Sequence, residues 1–394
     1  NLVFLITVSH INQLLLILIS LVFLMSCSSN FLLQSQKKLN ESLSIERPNV
    51  SYQFEELPKK INIIYSNPND KEAIKFIKGI SANYFYYRNL KYIPEIKFIK
   101  LQEIKDNECS SQGFFRTYSV IFLNNELHKE ISTDCLNKLQ ELNGLLVLSS
   151  SNLISQNPNQ VRFNIDQKED YLDLLNYSKN QGNRDAIIID DDATKGKEVL
   201  AKIWKDLDGR IIKSSTSENK QNEKLLSSLL LIENSTTRAK KLSRTLSTTL
   251  EFTPRRRKDI DSLILSVSLS TARSLKPALE YNFGESVSVY LSSAWINNEY
   301  YKEKEIDLEG ITLIDMPWML NASSDIKIDM QNRSRNFAIG FDAYELVLLL
   351  NNPSTKRNFA YKGLSGKISL YRGKLTRQSL KVNIKKGGYE VLAY

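Results

Sequence analysis

The sequence predicts an α/β protein built of parallel sheets flanked by helices, large enough for two lobes, with an antiparallel hairpin near its C-terminal end. Three observations carry this. Short runs that are apolar throughout, such as Ala186-Ile187-Ile188-Ile189, alternate with helical patterns of about 10–15 residues, as expected of strands covered on both faces. A chain of 394 residues that is 42% hydrophobic holds more apolar material than one small core can use. Residues 366–371 and 379–384 flank Arg372-Gly373-Lys374, the pattern of a hairpin.

The N-terminal segment comes first. Residues 14–25 read LLLILISLVFLM, too short for a comfortable membrane span but the right length for the apolar region of a signal peptide. The run ends at Leu24-Met25-Ser26-Cys27, which resembles the lipobox of bacterial lipoproteins and makes Cys27 the expected lipidation site after removal of the leader. No Lys or Arg precedes the run, only His10, and the chain begins with Asn; both are expected of a sequence whose natural start lies upstream. Ser28 stands where an Asp would commonly retain a lipoprotein at the inner membrane, so the outer membrane, facing the periplasm, is the expected location. Residues 28–59 are polar, without a periodic apolar face, and read as a flexible tether.

From residue 60 the elements alternate. Strands are expected at 61–65, 96–101, 119–123, 145–148, 161–165, 186–189, 262–267, 287–291 and 311–314. Helices are expected near 71–80, 168–179, 196–206, 271–283 and 341–350, the last stopped by Asn351-Asn352-Pro353. Residues 214–224 are polar and read as a loop.

The formal net charge is +9, which in a cytoplasmic protein would suggest nucleic acid. An exported protein meets acidic wall polymer, anionic lipid and other proteins instead, and no nucleic-acid-binding signature occurs, so nucleic acid is excluded as a partner. Catalytic chemistry is also missing. The two histidines are His10, in the leader, and His128, so neither a His-based triad nor a zinc cluster can be assembled. There is no GxSxG elbow, and Gly366-Lys367 lacks the upstream glycine of a phosphate-binding loop. Ser-x-x-Lys occurs at Ser35–Lys38 and Ser217–Lys220 without an SDN or KTG partner, and reads as chance. No catalytic residue, metal ligand or cofactor is therefore expected.

Some features stay open. Cys109 and Cys135 are a candidate disulfide in an oxidising compartment, or two separate thiols. Asp190-Asp191-Asp192 at a strand end offers a metal or ribose site, but a turn whose Asp caps the next helix is preferred. Trp318 is expected to pack rather than line a cleft, and Ser149-Ser150-Ser151 is placed where solute-binding proteins hold ligands.

Several motifs are shared with a known family. They are Pro254-Arg255-Arg256-Arg257-Lys258-Asp259-Ile260-Asp261, Ala272-Arg273-Ser274-Leu275-Lys276-Pro277-Ala278-Leu279, Val289-Tyr290, Asp315-Met316-Pro317-Trp318-Met319-Leu320, Gly340-Phe341-Asp342-Ala343-Tyr344 and Gly363-Leu364-Ser365-Gly366-Lys367-Ile368-Ser369-Leu370. Together they resemble the LppC/LpoA family of outer-membrane lipoproteins that activate a class A penicillin-binding protein. The resemblance is strongest over 254–370. It implies a two-lobed fold like that of type I periplasmic binding proteins, with lobe one at about 60–165 and 284–350 and lobe two at about 166–283 and 354–394. It further implies a non-enzymatic activator of a peptidoglycan synthase. The helical-repeat (TPR-type) domain of better-known members is expected to be absent here, where the tether stands. A lipid-anchored receptor for an amino-acid-like solute is the alternative, and a basic lipoprotein that binds peptidoglycan is a third reading. The run Arg255–Lys258 is expected to be a charged lead-in, pairing with Asp259 or Asp261, before 260–265 enter a sheet.

Overall fold

The computed structural model describes residues 58–65, 71–87, 94–100, 118–123, 144–148, 160–165, 167–218, 221–292, 305–320, 333–352, 355, 357–386 and 388–393. Cys27, Cys109, Cys135, His128 and Ser149-Ser150-Ser151, with nearly all of the tether, lie outside them.

The first sheet is built from β1 (Lys60–Tyr65), β2 (Glu95–Lys100), β3 (Tyr118–Leu123), β4 (Gly144–Leu148) and β5 (Gln160–Asn164), in the order β2-β1-β3-β4-β5. Every pairing is parallel, which explains why β1 has five consecutive buried residues rather than an alternation. Helix α1 (Lys71–Tyr87) covers this sheet and buries Ala73, Phe76, Ile80 and Tyr87, with Phe76 stacked on Phe122 of β3 at 4.4 Å.

After β5 the chain passes to the second sheet through α2 (Gln167–Asn180), β6 (Asp185–Asp191), α3 (Lys197–Asp206), β7 (Arg210–Ser217), α4 (Asn222–Leu229), α5 (Ile232–Leu246), β8 (Ser262–Ser266), α6 (Leu269–Tyr281) and β9 (Ser288–Ser292). It continues with β10 (Ile311–Asp315) and the short α7 (Pro317–Leu320), and crosses back to the first sheet at α8 (Arg335–Leu350). Three strands, β11 (Asn358–Lys362), β12 (Lys367–Tyr371) and β13 (Lys374–Gln378), then form a small antiparallel sheet before β14 (Leu380–Lys385) and β15 (Gly388–Ala393). The second sheet has the order β15-β14-β10-β9-β8-β6-β7, parallel except for β14 and β15.

Two expectations need correction here. The strands at 288–292 and 311–315 belong to the second sheet, not to a lobe-one segment 284–350; within that segment, α8 is the piece that packs on α1 of the first lobe. The reason is local connection: a strand followed by a helix feeds most readily into a neighbouring parallel strand of the same sheet. The hairpin turns at Arg372-Gly373 as expected, where Arg372 has φ 50° and Gly373 φ 78°, but its second arm is β13. Residues 380–385 instead pair with β10 and β15.

Helix α8 is apolar nearly all round and buried along its length, as a helix enclosed on every side must be. It crosses α1 closely. A Cβ on Gly79 would strike the Phe337 carbonyl oxygen, and one on Gly340 would strike that of Phe76. The second sheet is covered on one side by α2 and α3, which bury Tyr171, Leu175, Leu200, Ile203 and Trp204 against Ile188 and Ile264. The largest apolar cluster runs through both sheets and includes Trp318 and Phe337.

Candidate functional site

The motif residues meet where the two lobes join. Asp315, the last residue of β10, accepts from the Arg335 Nε at 2.9 Å and from its terminal Nη2, and from the Met316 amide at 2.7 Å. Both side chains are buried, so this pair locks the second sheet to the first turn of α8. Trp318 is buried, stacks on Phe337 of α8 at 5.4 Å, and carries the Arg333 guanidinium 5.9 Å from its ring centroid. Packing, as expected, is its role. Its amide donates to the Leu364 carbonyl at 3.1 Å.

Farther along α8, Asp342 holds the loop between β11 and β12. It accepts from the Leu364 amide at 3.0 Å, the Ser365 amide at 2.6 Å and the Ser365 hydroxyl. Burial pushes this carboxyl up to about 7, against the hydrogen bonds from Ser365 and Leu364, which lower it. The loop must approach closely: a Cβ on Gly363 would strike the Asp342 carboxylate, and Gly366, at φ 145°, would strike the Gln378 carbonyl. The Ser365 carbonyl in turn accepts from Arg377 at 3.0 Å, and Arg377 reaches Asp170 in the first turn of α2 at 3.0 Å. Burial raises the Asp170 carboxyl while the Arg377 charge opposes it. A continuous polar chain therefore runs from α8 through the Ser365 loop and β13 to α2, tying both lobes to the linker between them. One turn further along α8, Glu345 accepts from Tyr87 at 2.9 Å and from Asn83 at 3.2 Å.

The carboxyl edge of the second sheet holds a separate polar knot. Asp191 accepts from the Thr194 amide at 3.0 Å, the Ser268 amide at 2.7 Å and the Thr271 hydroxyl at 3.0 Å. Burial would raise this carboxyl, but those donors outweigh it and hold it below the usual range. Asp190 accepts from the Lys197 amide at 3.2 Å and the Thr216 hydroxyl at 2.8 Å, with the Lys197 ammonium 3.8 Å away. Asp190 thus caps the start of the next helix, α3, as the preferred expectation had it, while α6 is capped by Ser268, which Asp191 holds; Asp192 is exposed. Among the described residues, no group of three or more His, Cys, Asp or Glu could hold a metal ion.

The basic run takes the lead-in position. Arg257 is bidentate to Asp259 at 2.7 Å, and hydrogen bonding from Arg257 pulls that carboxyl down to about 2. Asp261 does not pair with a cation of the run; its carboxylate accepts from the Arg184 and Asp185 amides at 2.9 and 3.0 Å. Ile260 is buried at the entrance to β8.

The sequence alone did not assign roles to Arg335, Asp342, Arg377 or Glu345. The available signal was the motifs themselves, since Asp315, Trp318, Gly340, Asp342, Gly363, Ser365 and Gly366 all fall within them and all converge on this junction.

Two α/β sheets joined by such a junction define a two-lobed protein of the type I periplasmic-binding-protein kind. A "putative branched-chain amino acid ABC transporter" of Rhodospirillum rubrum superposes with a TM-score of 0.57 at 11% identity, covering 85% of this chain and all of that one. The LppC family, described as "LppC putative lipoprotein", matches residues 123–381, and the chain belongs to it. The penicillin-binding protein activator LpoA of Aliivibrio fischeri is 27% identical over 161 residues, 38% of this chain and 26% of that protein. The LpoA C-domain of Haemophilus influenzae superposes with a TM-score of 0.55 at 14% identity over 85% of this chain and 100% of the domain, whereas full-length LpoA from that organism is covered to 60%. The chain thus spans less than two thirds of these full-length relatives.

Proposed function

We propose that this protein is a non-enzymatic, lipid-anchored regulator at the outer membrane that binds and stimulates a class A penicillin-binding protein. The observation that supports it most is the family match over 123–381, joined to a fold that overlies the whole of the LpoA C-domain, itself described as a regulator of PBP1A. An activator must favour the synthase's active state over its inactive one; tight binding to both shifts nothing. Acylation of Cys27 would fix the chain to the membrane, and residues 28–59 would let the lobes range about 30 Å from it. The excess of basic residues suits additional contact with acidic wall polymer. The test is a pull-down with the class A synthase of the same genome, followed by polymerisation and cross-linking rates. Absence of both binding and a rate increase would overturn the proposal, and retention of a lipid label by Cys27→Ser would remove the anchor.

One observation favours a second reading, a receptor for an amino-acid-like solute. Asn164 Oδ1 and Ser292 Oγ, at the carboxyl ends of β5 and β9, are buried without a hydrogen-bond partner among the described residues. Ligands of open α/β sheets bind at such ends. Calorimetry against amino acids decides it: a micromolar ligand supports the receptor, and none leaves the activator.

A further inference from the structure

Helix α5 has almost no packing partner. Of its residues only Ser235 is buried, and everything from 244 to 253 is exposed. An isolated helix of this length is marginal in water, so its conformation invites a partner. The chain leaves the body at Leu231 and turns at Ser247, in the left-handed region at φ 49°, with the Thr248 amide closing on the Ser243 carbonyl at 3.2 Å. It then returns alongside its own start, where the Arg255 amide donates to Ser235 Oγ at 3.1 Å and the Arg257 amide to the Leu230 carbonyl at 3.0 Å.

The projection is amphipathic. Ile232, Ser235, Ala239, Leu242 and Leu246 recur at spacings of three and four and share one face. Leu242 and Leu246 are 55% and 59% exposed, and the returning chain adds Leu250 at 37% and Phe252 at 42%. Arg238 flanks this stripe, while Lys240, Lys241 and Arg244 occupy the far side. Residues 234–250 contain no Asp or Glu, and none of the four cations forms an ion pair among the described residues.

We propose that α5 and its return lie in an anionic phospholipid surface, with Leu242, Leu246, Leu250 and Phe252 inserted and the four cations among the phosphates. Charge complementarity selects this occupant. A second copy would bring four cations against four others, offset only by Glu233 at the start of the helix and Glu251 on the return. A protein groove holding the stripe would leave Lys240, Lys241 and Arg244 pointing away from it, whereas a headgroup layer surrounds a half-sunk helix and lets lysines reach the phosphates. The overall charge of +9 adds long-range attraction to such a surface.

Segment-resolved hydrogen exchange on the full chain tests this without interference from any other membrane attachment. The probes are vesicles of phosphatidylethanolamine with phosphatidylglycerol, and vesicles of phosphatidylcholine alone. With the anionic vesicles, amides of 236–248 should exchange roughly ten-fold more slowly, the scale of attraction that one or more basic residues gain at such a surface. The slowing should be absent with phosphatidylcholine, and lost in Leu242→Asp with Leu246→Asp and in Lys240→Glu with Lys241→Glu and Arg244→Glu. These positions are exposed, and unchanged exchange in β6 and β8 would show that the variants fold. Unchanged exchange of 236–248 on anionic vesicles overturns the proposal. So does protection that appears without vesicles when chain concentration is raised or a penicillin-binding protein is added.

Discussion

The Arg335 guanidinium holds the Asp315 carboxylate where the chain crosses from the second lobe to the first, and both side chains are buried. Removing one member of such a pair strands the other charge away from water. Arg335→Ala is therefore expected to lose about 3–5 kcal/mol in urea unfolding. The double variant Arg335→Met with Asp315→Leu should lose less than the sum of the two single changes, and strict additivity would show that the two side chains do not act as a pair.

The crossing of α1 and α8 leaves no room at Gly340, whose Cβ would meet the Phe76 carbonyl. Even Gly340→Ala should cost about 1–3 kcal/mol, because backbone must move rather than a flexible side chain. Thermal unfolding followed by circular dichroism would record the fall in Tm, and Gly373→Asn at the exposed hairpin turn supplies a mild comparison.

Asp342 gives stability a pH dependence of defined sign. Its folded value near 7 lies above the unfolded value of about 3.9, so the folded state holds the proton more tightly. The contribution is complete below about pH 4 and disappears as pH rises through 7. Denaturant midpoints measured from pH 4 to 8 should decline across this window, and Asp342→Asn should flatten the decline.

The basic run at 255–258 divides by residue. Arg255 is exposed, so Arg255→Ala should change stability by less than about 0.5 kcal/mol and leave the proposed synthase binding intact. Arg257→Ala should release Asp259 from about 2 back toward 3.9, visible as a shifted carboxyl titration by NMR. Lost synthase binding in Arg255→Ala would place that residue in the partner interface.

What could be read from sequence followed burial. Runs such as β6 and β8 are apolar because they are covered on both faces, and they stand out for that reason. Strand β7 was missed: as an edge strand paired only with β6, it reads RIIKSSTS and buries only its final Ser217. Helix α5 was missed because beyond Ile232 and Ser235 its stripe is not covered by the body, so it lacks the apolar face that marks a core helix. The junction is legible as motifs but not as contacts, since Glu345 meets Asn83 and Tyr87 across separations of 262 and 258 residues. Separations of that size leave no trace in local spacing.

The burial of α8 also orders events in time. During synthesis β1 to β5 and α1 emerge first, yet the helix that packs on α1 is encoded some 170 residues after β5. Until it arrives, Phe76, Ile80 and Tyr87 lack much of their packing, and the first lobe cannot close. Pairings this distant make folding slow. For a chain read as exported, slowness is useful: it remains threadable while it crosses, and the last third of the sequence acts as the latch that completes the first.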